Sequence, residues 1–368
     1  MINNNHVTTL EIDLKAVEFN LNYFKSKLKD TTDIMVVVKA FGYGSDAIEI
    51  AKSIEQHVSY FAVAYAMEGI ALRNAGIKTS ILVLHPQADN LESLIVNDLE
   101  PSLYNKHVFS SFLKLTRENK LKNYPIHLKF NTGLNRLGFS INDLPYLHKE
   151  LELNQTIFIQ SLFSHLAASE DKNEIEFTKN QIEKFNNITT QFKLIFGFVP
   201  TRHLCNTSGI INYPEAHFDL VRLGIGVYGF ANDVSETNNL KNVISLKTVI
   251  TQIHEIEPGE SVGYNRSFSA SNKMKTATVA IGHADGLSRR LGNGKVCVKI
   301  NNQRAPIVGN ICMDMMMVDI TNINCKPGDD VIIFDNQQSV EFLAKQSDTI
   351  SYELLTAISQ RVRRVVIS

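Results

Sequence analysis

The sequence predicts an α/β protein in which a (β/α)8 barrel is followed by a mostly antiparallel β domain. Two observations carry this expectation. Up to residue 230, short β-branched runs alternate with stretches of helical periodicity. That alternation implies a parallel sheet, and eight such runs are the number that closes a TIM barrel. Beyond residue 240 the apolar runs are separated by Pro258-Gly259, Asn293-Gly294 and Pro327-Gly328, the texture of antiparallel strands and turns. The expected bounds are 8–235 for the barrel and 241–368 for the β domain, with a mostly polar linker at 231–239.

A strand-like piece at 8–12 comes first, and Asp13 can cap a helix presenting Leu14, Val17, Leu21, Phe24 and Leu28 on one face. Barrel strands are expected at 34–38, 60–63, 81–84, 100–103, 126–130, 157–163, 202–205 and 219–223. The run Met35-Val36-Val37-Val38 is apolar throughout, as suits a strand buried on both faces. Pro101 interrupts the fourth strand and cannot donate to a ladder. Helical patterns fall between them, at 47–56, 67–75, 91–96, 106–118 and 175–192. In the β domain, apolar stretches at 249–253, 276–281, 296–300, 305–308, 316–320 and 331–334 read as strands. A late helix near 350–359 precedes the basic Arg361-Val362-Arg363-Arg364.

Composition excludes several classes of function. Lys+Arg total 37 against Asp+Glu 38, so no net field draws nucleic acid or an anionic membrane. Cys205, Cys297, Cys312 and Cys325 form no CxxC pair and no metal-ligand spacing, so they read as reduced thiols and no metal is expected. Residues 1–6 are polar and lack the apolar core of a signal peptide, and no apolar run approaches bilayer length. These features point to a cytoplasmic protein acting on a small molecule.

In a barrel the chemistry lies at the carboxyl ends of the strands. Lys39 ends the first barrel strand, and Gly42-Tyr43-Gly44 turns the chain away. Such a lysine either snorkels to water or, desolvated, presents a neutral nucleophilic amine. Other strand ends carry Lys129 and Arg136, Ser164-His165, Asn206-Thr207-Ser208-Gly209, and Arg222 through Gly226. The last two offer small residues and backbone N–H groups where barrels commonly hold a phosphate. A reactive lysine, a phosphate cradle and an arginine on one mouth suit pyridoxal 5'-phosphate.

With these residues in view, the chain resembles the alanine racemases, which are fold type III pyridoxal-phosphate enzymes, over essentially its whole length. The matching stretches include Val38-Lys39-Ala40-Phe41-Gly42-Tyr43-Gly44, Lys129 through Gly138, Ser164-His165, His203 through Thr207, Arg222-Leu223-Gly224-Ile225, Val262-Gly263-Tyr264, Ala284-Asp285-Gly286, Cys312-Met313-Asp314 and Tyr352-Glu353. The resemblance implies two-base racemisation of L- and D-alanine, supplying D-alanine for peptidoglycan. Lys39 would hold the cofactor and serve one face of the substrate. Tyr264, from a second subunit of a homodimer with shared active sites, would serve the other. Tyr43, Asn206, Thr207, Gly224, Ile225 and Tyr352 would surround the phosphate, and Arg222 would face the pyridine nitrogen rather than pair with Asp219. His165 would favour the Tyr264 phenolate, while Arg136 and the Met313 N–H would hold the substrate carboxylate. Lys129 matches a lysine that is often carbamylated in the family; the alternative is an unmodified lysine whose charge repels that of Arg136.

Four positions depart from the family pattern: Asn131 for aspartate, Thr207 for serine, Leu223 for proline, and His283 for the tyrosine near the substrate entrance. Alternatives are a racemase preferring serine or another small amino acid, or a fold type III decarboxylase, which would need an acid where Arg222 stands. A non-catalytic pyridoxal-phosphate carrier would be a barrel alone and would leave Tyr264 and its domain without purpose.

Overall fold

The structure is a computed structural model that describes residues 6–367. The polar opening at 1–5 lies outside the described residues. The chain divides into two compact units. One holds Glu18–Gly42 and Ala47–Leu240, and the other joins the described residues up to Val17, the short stretch Tyr43–Asp46, and the chain from Lys241 onward.

The first β-strand, β1 (Thr9–Asp13), is not part of the barrel. It pairs antiparallel with a strand at 244–247 and parallel with one at 363–367, so it belongs to the second unit. The expected start of the barrel at residue 8 is thereby corrected. Sequence alternation showed a strand at this point, but pairing partners more than 230 residues away leave no local signal.

The barrel is built from β2 (Asp33–Val37), β3 (Tyr60–Val63), β4 (Ser80–Val83), β5 (Glu100–Leu103), β6 (Tyr124–Lys129), β7 (Ile157–Phe163), β8 (Thr201–His203) and β9 (Leu220–Leu223). They pair in sequence order and β9 returns to β2, closing the barrel with every pairing parallel. Helices at Ala47–Ile54, Ala66–Asn74, Leu91–Val96, Lys106–Glu118, Leu144–Glu152, Ile175–Phe196 and Thr207–Asn212 connect successive strands. Their apolar faces pack inward; Phe109, Phe112, Leu113, Phe185 and Phe192 are fully buried. Pro101 is accommodated within β5 opposite Val83.

The second unit contains β10 (Ile244–Ile256), β11 (Ser261–Val262), β12 (Phe268–Ser269), β13 (Met274–Val279), β14 (Cys297–Ile300), β15 (Gln303–Val308), β16 (Met316–Asp319), β17 (Asp330–Phe334) and β18 (Arg363–Ile367). The order β13-β16-β15-β14-β17-β10-β1-β18 is antiparallel except at β1–β18, and β13 also pairs with β10. Strand β10 serves both partners because a bulge between Ile250 and Gln252 redirects its far half onto β13. Besides the two-residue strands β11 and β12, two elements go beyond the sequence reading. A helix at Gln337–Gln346 is capped by Asn336, whose side chain accepts from Ser339 N at 2.8 Å. The other is β18, where the basic run obscured a β-branched strand.

Between β2 and the following helix the backbone makes a left-handed turn. Ala40, Phe41, Gly42, Tyr43 and Gly44 have φ of 52°, 55°, 65°, 53° and 84°. A Cβ at Gly44 would lie 2.1 Å from the Leu355 carbonyl oxygen, both within the second unit. Gly44→Ala is therefore expected to destabilise the protein by about 3 kcal/mol, combining positive-φ strain with backbone overlap. Urea unfolding checks this, and an unchanged midpoint would contradict it.

Candidate active site

Lys39 follows the buried Val38 at the carboxyl end of β2, so the left-handed turn begins immediately after this lysine. Three of the turn's residues, Ala40, Phe41 and Tyr43, have side chains, and each costs about 1–2 kcal/mol in this conformation. Two hydrogen bonds hold it in place: Gly42 N donates to the Val38 carbonyl at 3.0 Å, and Ala40 N donates to Glu68 Oε1 at 2.6 Å. The other oxygen of Glu68 accepts from Ala64 N and Tyr65 N at 2.7 and 3.1 Å. One carboxylate thus ties the end of β3 to the turn that aims Lys39. Burial, aided by the charge of Arg136, lowers the Lys39 pKa despite the opposing influence of Glu68.

Lys129 ends β6, buried and 5.7 Å from the Phe163 ring centroid. Burial first, then the charges of Arg136, Arg222 and Lys39, bring its pKa down to about 7. The loop after it is fixed by Asn131, whose Oδ1 accepts from Gly133 N and Asn135 N at 3.1 and 3.0 Å. Asn131 thus braces the backbone ahead of Arg136, a task an aspartate would perform equally well. Arg136 itself is exposed.

Arg222, on β9, is 3% exposed. Its Nη1 donates to His203 Nδ1 at 2.7 Å and to the His203 carbonyl at 3.2 Å. Its Nη2 donates to the carbonyls of Ser164 and Leu204 at 2.7 and 2.9 Å and faces His165 Nδ1 at 3.2 Å. Among the described residues no carboxylate pairs with it; Asp219 is taken by Arg202 at 2.8 Å. Burial pulls the Arg222 pKa down to about 10, so it remains a cation at neutral pH. Because the guanidinium can only donate, His165 Nδ1 carries the lone pair and its proton sits on Nε2. Burial, then the charges of Arg222, Arg136, Lys129 and Lys39, hold the His165 pKa well below its ordinary value, so the ring is neutral.

Thr207 Oγ1 accepts from Gly224 N and Gly226 N at 3.1 and 3.2 Å, shaping the loop that also contains Ile225. Asn206 caps the short helix after β8 by accepting from Gly209 N at 2.9 Å, and Ser169 Oγ donates to it at 2.8 Å. Gly226 has no room for a side chain: a Cβ would lie 2.6 Å from the Phe24 ring. The barrel unit therefore gathers Lys39, Lys129, Arg136, His165, Asn206, Thr207, Arg222, Gly224 and Ile225 at the carboxyl ends of its strands.

Tyr43, Tyr264, Met313 and Tyr352 lie in the second unit. The Tyr43 and Tyr352 rings are 6.0 Å apart, and burial, with the neighbouring Tyr352, raises the Tyr43 pKa. Tyr264 stands 68% exposed at the tip of the β11–β12 hairpin, next to Asn265 and Arg266 at φ 59° and 51°. The hairpin is seated by Val262, Ala270, Met274 and Val308, and Asn310 Nδ2 donates to the Tyr264 carbonyl at 3.2 Å. A cavity of about 460 Å³ lies beside it, lined by Gly263, Tyr264, Cys312, Met313, Asp314, Met315 and Met317. The loop carrying Met313 is docked through its carbonyls, which accept from His283 N (at Cys312 O) and Ala284 N (at Met313 O), each at 2.9 Å. Among the described residues the Met313 N–H makes no hydrogen bond, and Arg361 holds the next residue, Asp314, at 2.9 Å and Asp285 at 2.6 Å.

The sequence matches the family domains described as alanine racemase N-terminal domain over 12–232 and C-terminal domain over 243–366. This chain belongs to the alanine racemase family. It is 36% identical to an alanine racemase of Clostridium novyi, covering 97% of this chain and 94% of the relative, and 35% identical to that of Helicobacter pylori, covering 97% and 98%. Among solved structures it superposes on the alanine racemase of Clostridium difficile with a TM-score of 0.91 at 32% identity, over 98% of this chain and 96% of that one. It also superposes on the Bartonella henselae alanine racemase with covalently bound pyridoxal phosphate, with a TM-score of 0.87 at 29% identity, over 98% and 99%.

Glu68, Ser161, His127 and Glu100 escaped the sequence reading, and His203 entered it only as the first residue of a matching stretch, with no role of its own. Period-2 alternation would have found part of the set, because Ile126-His127-Leu128-Lys129 places His127 on the same face as Lys129.

Lys129 has a consequence for stability. Its folded pKa of about 7 lies below the unfolded value of about 10.4, so between these the unfolded chain binds the extra proton. Its contribution therefore makes stability rise with pH across that window and stay constant below it. Relative to Lys129→Met, the wild-type protein should gain stability from pH 7.5 to 9.5 in urea unfolding; parallel curves would contradict the lowered pKa.

Proposed function

We propose that this protein is a pyridoxal 5'-phosphate-dependent alanine racemase that interconverts L- and D-alanine. Membership of the family supports this along the whole chain, and the observation that carries it locally is Arg222: a buried cation with no carboxylate partner, at a mouth that also holds Lys39. The residues fit the cofactor by their chemistry. A guanidinium is a donor for an unprotonated ring nitrogen, the small-residue loop at Gly224–Gly226 with the Thr207 hydroxyl suits a phosphate, to which the family resemblance adds Tyr43 and Tyr352, and Lys39 has the lowered pKa of an amine that forms a Schiff base. When bound, the cofactor supplies the electron sink for the charge left at the substrate α-carbon.

The protein's own groups do the rest. Lys39 Nζ moves the α-proton on one face and Tyr264 Oη on the other. A phenol titrates near pH ~10, so Tyr264 needs a donor to favour its phenolate. Neutral His165, with its proton on Nε2, can serve as that donor without adding a charge. Arg136 and the Met313 N–H bind the substrate carboxylate. Lys129, with a substantial neutral fraction at neutral pH, is suited to carbamylation, which would turn a repelling cation into an anion beside Arg136. Arg222, by disfavouring ring protonation, limits transamination. The decarboxylase alternative requires an acid at the ring nitrogen and has no support here.

The reading includes a homodimer with shared sites. Two features support it: Tyr264, Met313 and Met315 are 68%, 58% and 44% exposed on the second unit, and Phe41, Tyr65 and Met67 are exposed after β2 and β3. We place the reaction in the cytoplasm, supplying D-alanine for peptidoglycan. Among the described residues no helix is long and apolar enough to cross a membrane.

Lys39→Ala and Tyr264→Phe should each be inactive and should complement on subunit exchange. In a mixed dimer one site carries both lesions and the other neither, so activity should approach about half that of a wild-type dimer. Verified mixed dimers that stay inactive would overturn the shared site. Borohydride should fix the cofactor to Lys39, and attachment to another lysine would overturn the cofactor assignment. Arg222→Glu should raise the ratio of transamination to racemisation; an unchanged ratio would remove Arg222 from that role.

A further inference from the structure

Beneath the mouth, five consecutive barrel strands carry one unbroken chain of polar side chains. Arg222 Nη1 meets His203 Nδ1 at 2.7 Å, His203 Nε2 meets Ser161 Oγ at 2.8 Å, and Ser161 Oγ meets His127 Nδ1 at 2.6 Å. His127 Nε2 then meets Glu100 Oε2 at 2.8 Å, where Tyr60 also donates at 3.1 Å. The Tyr60 bond skips β4, which the interior of a barrel permits and its outer face does not. Arg222, His203, Ser161, His127 and Glu100 are all between 0 and 7% exposed. Barrel interiors are ordinarily filled by branched apolar side chains, and a half-satisfied polar network there is worse than an apolar core.

The chain is satisfied in only one sense. Arg222 always donates, so His203 must keep its lone pair on Nδ1 and carry its proton on Nε2. That proton goes to Ser161 Oγ, the Ser161 hydroxyl hydrogen goes to His127 Nδ1, and the His127 proton faces Glu100. The direction is fixed by a permanent donor at one end and a carboxylate at the other. Burial alone would raise the Glu100 pKa, but hydrogen bonds from His127, Ser80 and Tyr60 hold it below the ordinary value.

We propose that Glu100 is a positioning residue for Arg222, acting through His127, Ser161 and His203 to hold His203 in the one tautomer that accepts from the guanidinium. It supplies the negative end that no carboxylate supplies at Arg222 directly. Loss of this anchor frees the histidines to reverse, and a reversed His203 would point an N–H at Arg222 and displace it. The functional consequence rests on the reading of Arg222 as the group facing the cofactor ring.

The test uses the holoenzyme with 15N-labelled histidine, reading the tautomer of His203 by two-bond 1H–15N correlation. The variants are Glu100→Gln and the milder Ser161→Ala, which cuts the chain at its middle and leaves His127 and Glu100 in contact. In the wild type, His203 should show a protonated Nε2 and a bare Nδ1. In Ser161→Ala, and in Glu100→Gln where it folds, His203 should lose that single tautomer. kcat should fall about tenfold with KM within about twofold, the scale of one lost hydrogen bond to a charged group. An unchanged His203 tautomer in Ser161→Ala overturns the relay, whatever happens to activity. A changed tautomer with unaltered cofactor absorption and kcat overturns the reading of Arg222 and, with it, the positioning role of Glu100.

Discussion

A buried guanidinium that no carboxylate among the described residues neutralises is the constraint around which the site is built. Removing a cation from water costs several kcal/mol unless every donor is met. At both of its Nη atoms Arg222 meets that requirement, with carbonyls of Ser164, His203 and Leu204 and with two imidazole nitrogens. Those partners come from the ends of β7 and β8, which the parallel register of the barrel brings beside β9. The same contacts require a lone pair on Nδ1 of both His165 and His203, so one cation faces the ring above it and meets the upper end of the chain that Glu100 anchors below it. Together with Lys39, Lys129 and Arg136 it gives the mouth a positive character suited to a phosphate and a carboxylate.

Aiming Lys39 is a second, mechanical requirement. A lysine at a strand end has four rotatable bonds, and the turn that follows would ordinarily be loose. Here the chain adopts a left-handed conformation for five residues, at a cost of several kcal/mol, offset by the Glu68 carboxylate and by burial of Tyr43. Strain of this kind beside Lys39 accords with the proposed role of that side chain, which needs a fixed backbone.

The fold class was largely legible because barrel strands buried on both faces are continuous apolar runs and their helices keep a 3.6-residue period. Pro101 was tolerated because its strand is short and its partner residue is Val83. What escaped was non-local: β1 and β18 pair with each other across the length of the chain, and nothing near either one announces it. The mouth was readable from strand ends together with the family resemblance. His127, Ser161, His203 and Glu100 were not, since each is an ordinary residue in its own segment and becomes a network only when adjacent strands align. Glu68 was hidden for the same reason, lying 28 residues from the amide it holds.

In the proposed site, Arg222 keeps the cofactor ring nitrogen unprotonated by donating to it. Its most direct measurement is the 15N chemical shift of holoenzyme reconstituted with pyridoxal phosphate labelled at the ring nitrogen. A donating Arg222 predicts the shift of a neutral, hydrogen-bonded pyridine that stays constant across the pH range of activity. A pyridinium shift, or a titration between the two forms within that range, would contradict it.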